Sequence, residues 1–240
     1  MIAEIAARVF RIRNATDYTR KLIDRGEIRT ALDIGCGSYS NLSPFRPGIR
    51  TVGLDGFATA IEESKSKSIH DDYVLADILH TDPKEILSRA GVEKFDLVTL
   101  YSVLEHFPKR QGWEVLERCE ELTSKYILLE TPNGFVEQGP EFGNELQRHR
   151  SGWFPWELEG LGYQVHGTTG TRYLRGYTAE PKYPIKGTIS VDFAVAWFLR
   201  VNDHPRHAFN LVAMKDVRGA PARLHLSKKE RFRLAREARL

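Results

Sequence analysis

The chain has 240 residues, 41% hydrophobic and 28% charged, a balance that supports a packed core and excludes global disorder. No uninterrupted apolar run reaches the roughly 18 residues that cross a bilayer, and Glu4 and Arg8 break the N-terminal apolar stretch where a secretory signal would be continuous. Two cysteines, Cys36 and Cys119, form neither a disulfide framework nor a metal-ligand spacing, so the expected setting is soluble, reducing and cytoplasmic. A formal net charge of +3 does not by itself diagnose nucleic-acid binding.

In chain order, Ile2, Ile5, Ala6, Val9, Phe10, Ile12 and Ile23 alternate with basic residues, which predicts one or two amphipathic leading helices packed outside the core over residues 1–26. Five short apolar runs follow: Thr30 to Ile34, Thr51 to Leu54, Tyr73 to Leu75, Phe95 to Leu100 and Tyr126 to Leu129. Their near-continuous apolar character is that of buried parallel strands covered by helices on both faces. Helices are predicted between them over Ala58 to Ser66, Pro83 to Ser88 and Gln111 to Ser124. The last carries an apolar stripe of Trp113, Val115, Leu116, Cys119 and Leu122. The fold class is therefore α/β.

After the fifth run, Thr131-Pro132-Asn133-Gly134 and Gly139-Pro140 read as turns. A helix is expected from Ser151, as its cap, to Leu161, and a short strand over Tyr163 to His166. Residues 168–205 read as an inserted segment rich in glycine, tyrosine and proline. Within it, Ile189 to Val201 is either a buried helix or a cover over the substrate, and apolar residues on several faces favour packing. Ala208 to Met214 reads as an edge strand, closing a principal domain over residues 27–216. A basic tail occupies residues 217–240; counted from Lys215, nine lysines and arginines oppose Asp216, Glu230 and Glu237. That tail is compatible with a solvated helix carrying Leu226, Phe232 and Leu234, or with an anionic partner such as RNA or a membrane surface.

The chemistry is carried first by Asp33-Ile34-Gly35-Cys36-Gly37, which follows a predicted strand as a nucleotide-binding turn must. Glycine permits both the tight turn and close approach of a ligand to the main chain. Asp55 ends the second strand, where a carboxylate can accept from both ribose hydroxyls. A dinucleotide-binding protein is the competitor, but Ser40 stands where the third glycine of G-x-G-x-x-G belongs. That glycine serves close helix packing at a pyrophosphate site.

With these residues the chain resembles the class I S-adenosylmethionine-dependent methyltransferases, and more narrowly the small methyltransferase domains with Leu-Glu-His after strand four. Ala76-Asp77-Ile78, the run from Phe95 to His106, and Ala208 to Met214 extend the likeness. The resemblance implies a Rossmann-like, seven-stranded, mostly parallel doubly wound sheet with an antiparallel last strand, an N-terminal helix and an inserted helical segment. It also implies S-adenosylmethionine as cofactor. Asp33, Gly35, Cys36 and Gly37 would lie beside its methionine portion, Asp55 on the ribose, Asp77 and Ile78 at the adenine, and Tyr101 and Ser102 near the sulfonium. Pro132-Asn133-Gly134 departs from the family pattern and leaves the acceptor side undefined.

Methyl transfer from a sulfonium is an in-line displacement that depends mainly on alignment. A hydroxyl acceptor would benefit from a base, and His106 and His149 are the candidates, His149 lying between Arg148 and Arg150. Each is equally readable as a loop-fixing or solvated residue. Glu105 and Glu130 could join the histidines around a divalent metal, but their spacing does not establish a site and none is assigned. Trp153, Trp156, Tyr173 and Tyr177 are candidate pocket aromatics or core residues. The expected function is transfer of a methyl group to oxygen or nitrogen of a small molecule: a metabolite, sugar or lipid-linked precursor. The alternatives are nucleic-acid methylation using the basic tail and a catalytically silent binding module. No Asn/Asp-Pro-Pro-aromatic motif follows strand four to favour the former; Tyr101-Ser102-Val103-Leu104 stands there.

Overall fold

The computed structural model describes residues 7, 9–140, 144–176, 179–183 and 187–219. Ile2, Ile5, Ala6, Tyr177 and nearly all of the basic tail, including its expected helix, lie outside the described residues.

The leading segment breaks at Arg11, whose φ is +54°, and α1 (Ala15–Ile23) begins after Asn14. The Asn14 side chain accepts from the Asp17 amide, and the Asp17 carboxylate accepts from the Asn14 amide. This reciprocal capping box satisfies two otherwise orphaned donors. Tyr18 and Leu22 of α1 pack beneath the sheet with Leu97, Tyr126 and Leu128.

The sheet then builds through β1 (Thr30–Ile34), β2 (Arg50–Asp55), β3 (Asp72–Leu75), β4 (Phe95–Tyr101), β5 (Thr123–Pro132), β6 (Gln164–Thr171) and β7 (Ala208–Asp216). Its order is β3-β2-β1-β4-β5-β7-β6. The pairings β2–β3, β1–β2, β1–β4 and β4–β5 are parallel, while β7 is antiparallel to both β5 and β6. The helices α2 (Ala58–Ser66), α3 (Pro83–Ala90) and α4 (Lys109–Leu122) separate the parallel strands as expected. On one sheet face Trp113, Val115, Leu116, Cys119 and Leu122 of α4 join the large core containing Leu32, Leu54, Val98 and Ile127.

Three local expectations require correction. The segment Ala208 to Met214 is not an edge strand, because β7 lies between β5 and β6. Its backbone pairs antiparallel with β5 on one side and β6 on the other, and Ala208, Phe209, Leu211, Val212 and Ala213 are buried. The helix expected from Ser151 begins later, as α5 (Pro155–Gly160). There Pro155 presets the first helical φ, and the Glu157 carboxylate accepts from the Phe154 amide at 2.9 Å. Ser151 instead accepts from the Trp153 indole at 3.0 Å. The short strand at Tyr163 to His166 continues to Thr171, inside the stretch read as loop, through an irregularity at Thr169 and Gly170, both with positive φ.

The apolar stretch from Ile189 folds as α6 (Thr188–Phe198). Phe193 and Ala196 pack against Ile12, Val201 and Ala208, so packing is the role of its inner face. Its buried Asp192 accepts from the Thr171 amide, the Thr171 hydroxyl and Arg175 Nε at 2.8, 2.7 and 2.6 Å, which ties α6 to the end of β6.

Candidate functional site

In an open parallel sheet, ligands collect beyond the carboxyl ends of the strands where the strand order reverses. Here that point falls between β1 and β4, and a cavity of about 470 Å³ opens there. Its wall includes Gly35 after β1, Asp55 at the end of β2, Asp77 and Ile78 after β3, and Ser102 and His106 after β4. Six residues singled out in the sequence are thus brought to one cavity.

The turn after β1 is held by the Gly35 and Cys36 amides, which donate to the Leu54 carbonyl at 2.7 and 3.1 Å. Gly35 has φ +68°, and a Cβ there would lie 2.5 Å from Val103 Cγ2. Glycine is therefore required twice, by the backbone and by close packing of the β4 loop. The Gly37 amide donates to Asp55 Oδ2 at 3.1 Å and the Phe57 amide to Oδ1 at 2.9 Å, fixing the carboxylate at the cavity wall. Burial raises the Asp55 pKa, opposed by these amide donors. Asp77 accepts from the Leu79 amide at 2.8 Å and lies 2.7 Å from His80 Nδ1. Burial pushes its pKa up, but the His80 and Leu79 contacts together hold it below the ordinary value.

Asp33, Cys36, Gly37 and Tyr101 do not line this cavity. Asp33 is buried behind the turn, accepting from Ser40 Oγ at 2.5 Å and Thr99 Oγ1 at 2.7 Å, with His70 Nε2 at 3.5 Å. Ser40 thus bonds Asp33 and also accepts from the Leu42 amide at 3.0 Å, a tethering role that glycine at this position would lack. The Cys36 thiol is buried, and its pKa is raised by that burial and by the nearby Asp33 and Asp55 charges, so it fills the turn as a neutral group. The Tyr101 hydroxyl pairs with Thr19 Oγ1 of α1 at 2.6 Å.

Ser102 leaves β4 with φ +54° while its amide donates to the Glu130 carbonyl at 2.9 Å. This turn aims the following residues across the strand ends. His106 borders the cavity, and His149 stands behind it with ring centroids 5.0 Å apart. His149 Nδ1 donates to the Val136 carbonyl at 2.7 Å. Burial, then the neighbouring His149, lowers the His106 pKa to about 4, so its imidazole is neutral at physiological pH. Glu105 is buried, accepts from Thr131 Oγ1 at 3.0 Å, and has its pKa pushed up by burial to about 8. Glu130, one strand over, is raised by burial to about 7.

Apart from Arg150, singled out beside His149, one part of the site had no signal in the sequence. Asn144, Leu146, Gln147 and Arg150 form a strap along the cavity wall, which Leu79, Phe107 and Gln111 also line. The strap is anchored where the Arg150 and Ser151 amides donate to the Glu105 carbonyl at 2.8 and 3.1 Å. Its far end is set by Trp153, which is wholly buried rather than in the cavity wall. A Cβ on Gly112 would lie 2.5 Å from the Trp153 ring, and Lys109 Nζ sits 3.7 Å from its ring centroid. Trp156 and Tyr173 are 42% and 51% exposed and lie outside the cavity. The turn expected at Thr131-Pro132-Asn133-Gly134 is instead the end of β5, because Thr131 and Pro132 pair with β7 and Asn133 and Gly134 bridge to Trp153, with the Gly134 amide donating to the Trp153 carbonyl at 2.7 Å.

Residues 32–125 match a family model described as a methyltransferase domain. No curated protein matches the chain by sequence. Among solved structures, magnesium protoporphyrin IX methyltransferase from Synechocystis with bound S-adenosylmethionine is 16% identical, with a TM-score of 0.50 over 89% of this chain and 83% of that one. A methyltransferase from Archaeoglobus fulgidus is 19% identical, with a TM-score of 0.52 over 88% and 97%. The N-methyltransferase NodS from Bradyrhizobium japonicum, in complex with S-adenosylhomocysteine, is 14% identical, with a TM-score of 0.52 over 84% of each chain. The matched segment is thus similar to a methyltransferase domain, and the strand order gives the chain the fold of these solved methyltransferases.

Proposed function

We propose that the chain methylates oxygen or nitrogen of a small molecule (a metabolite, sugar or lipid-linked precursor) and that the cavity at the strand ends holds the methyl donor. The observation that carries this reading is the cavity's form. Its wall runs from β4 through β1 and β2 to β3, three strand spacings or roughly 14 Å, which suits an elongated nucleoside cofactor. Asn144, Leu146, Gln147 and Arg150 of the strap contribute to its wall.

Gly35 would admit the methionine portion against the main chain, with Asp33, Cys36 and Gly37 shaping the turn from behind. Each Asp55 oxygen accepts one amide and retains a lone pair for a ribose hydroxyl. Asp77 and Ile78 would receive the adenine. Ser102 would flank the reacting centre, and Tyr101, held by Thr19, would support it. The bound cofactor supplies a methyl group activated by a sulfonium. The protein's share is alignment and exclusion of water, effects that reach about 7 to 11 kcal/mol in the best intramolecular cases. His106 is the neutral imidazole at the cavity edge and the candidate proton acceptor, oriented by His149.

Nucleic acid remains the competing acceptor class. Lys215 and Arg218, the first cations counted with the basic tail, are already bound to Glu120 at 2.6 Å and to Glu27 and Asp216 at 2.5 and 2.7 Å. They are not free to neutralise phosphates.

Calorimetry with S-adenosylhomocysteine tests the cofactor placement. Asp55→Ala is expected to weaken binding about 10- to 100-fold, the worth of one or two hydrogen bonds to a charged acceptor, and unchanged affinity overturns the placement. A labelled-methyl assay against metabolite extract and RNA from the source cell tests the acceptor class. Label in small molecules is expected; label confined to RNA refutes the reading.

A further inference from the structure

The helix α6 is apolar on nearly every side, a composition that normally belongs to a helix enclosed by protein. Only one side is enclosed. Asp192, Phe193 and Ala196 are buried, while Val191, Ala194, Val195 and Phe198, spaced i, i+3, i+4 and i+7, share the opposite face. Val191 and Phe198 are 56% and 78% exposed, and Trp197, beside this stripe, is 58% exposed. Cations gather at the C-terminal end of the face. Trp197 and Arg200 line one hollow of about 210 Å³ together with Phe10, Arg11, Ile12 and Arg13. The three arginines are exposed. Asp203, the carboxylate in that wall, is paired with Arg200 at 2.7 Å, whereas among the described residues no ion pair engages Arg11 or Arg13. The arginine-bearing segment is fastened in place: the Asn202 side chain accepts from the Arg13 amide at 3.3 Å and donates to the Gly167 carbonyl at 2.6 Å. Ile12 packs behind it against Phe193, Val201 and Ala208. Ala208 opens β7 just beyond the carboxyl end of β5, so this face stands at the same end of the sheet as the cofactor cavity.

We propose that the outer face of α6 docks on an anionic lipid bilayer, with Val191, Trp197 and Phe198 entering the boundary between headgroups and acyl chains and Arg11 and Arg13 meeting lipid phosphates. Charge selects that partner. A helix that lies in a membrane interface joins an apolar stripe bearing aromatic residues to flanking basic ones, and a tryptophan ring with its single N–H settles at the headgroup level. The apolar stripe alone would equally suit a second copy of this chain. A symmetric dimer, however, sets the same patch of both copies together and would crowd two sets of Arg11, Arg13 and Arg200, a repulsion that anionic lipid turns into attraction. Each arginine close to a negatively charged leaflet strengthens binding about fivefold, and the effect fades within about one Debye length. Adsorption of this kind holds whatever the methyl acceptor is and involves none of the cofactor contacts.

The probes are vesicles of phosphatidylcholine alone and of phosphatidylcholine with phosphatidylglycerol, added to the full-length protein and read by co-sedimentation and tryptophan fluorescence. Binding to the mixed vesicles is expected, with a blue shift of emission, a decline as salt rises, and affinity for the neutral vesicles about tenfold lower or less. Trp197→Ser with Phe198→Ser should weaken binding at least tenfold, since burial of one large apolar side chain contributes about that much. Arg11→Gln with Arg13→Gln should weaken it about tenfold. Trp197→Phe should still bind but lose most of the blue shift, because Trp113 and Trp153 are already buried. Trp156→Ser, at an exposed aromatic on α5, should bind as wild type does. Circular dichroism and S-adenosylhomocysteine affinity report whether each variant is folded; if the double serine variant fails to fold, Phe198→Ser alone takes its place. No binding to the mixed vesicles overturns the proposal. So does equal binding by wild type and the double serine variant, which would assign adsorption to the basic tail. A dimer that Phe198→Ser dissociates, with no vesicle binding, would give the face to a second copy and overturn it as well.

Discussion

At Gly35, a single hydrogen in place of a side chain serves two demands at once. The left-handed φ costs a non-glycine residue about 1 to 2 kcal/mol, and the clash with Val103 adds about 1 to 3 kcal/mol of overpacking. Gly35→Ala should therefore lower Tm and weaken S-adenosylhomocysteine, and adding Val103→Ala should restore only the packing part. Full rescue by the double variant would show that backbone conformation at this turn is unimportant. Glu130 poses a different test. Its pKa is about 7 in the folded chain against an ordinary 4.5, so between those values the folded state holds a proton that the unfolded state releases. Stability contributed by this group is thus present below pH 4.5 and lost as pH rises through 7, by at most about 1.4 kcal/mol per unit. Glu130→Gln should melt higher than wild type at pH 8 and gain little at pH 4.5. The same difference at both pH values would refute the assignment.

Elements in this fold are joined by a few buried polar contacts. Lys109, at the start of α4, reaches across to Glu157 of α5 at 2.8 Å and covers the Trp153 ring. Burial depresses the Lys109 pKa to about 8, opposed by Glu157, and raises that of Glu157, opposed by Lys109. The pair therefore offsets desolvation rather than adding a large surplus, but removing one member strands the other. Lys109→Ala should cost about 3 to 5 kcal/mol in denaturant unfolding, whereas Lys109→Met with Glu157→Gln should recover much of it. A loss under 1 kcal/mol for the single variant would mean that Glu157 is hydrated. Since Trp153 terminates the strap, the single variant should also weaken cofactor binding by loosening residues 144–150. The strap itself was not legible in sequence, because its anchors are main-chain amides on the Glu105 carbonyl, which any side chains there would permit.

Across the whole molecule, the order of strands and helices was readable because a buried parallel strand is largely apolar on both faces, as Leu97, Val98 and Leu100 and the run Ile127 to Leu129 are. Asp55 stood out because it closes such a run, and Asp77 only through the family resemblance of Ala76-Asp77-Ile78. The place of β7 was not: an apolar run of seven residues is compatible with either the edge or the interior, and only pairing with both β5 and β6 decides it. Likewise Trp153 and Trp156 are three residues apart and chemically alike, yet one is wholly buried and the other 42% exposed. The sequence by itself determined the α/β class and the glycine turn, both of which rest on local runs and short spacings. The meeting of Glu105 and His106 with His149, the strap over the cavity and the retreat of Asp33 behind its turn were decided only in three dimensions. They depend on contacts between segments tens of residues apart, which local spacing does not encode.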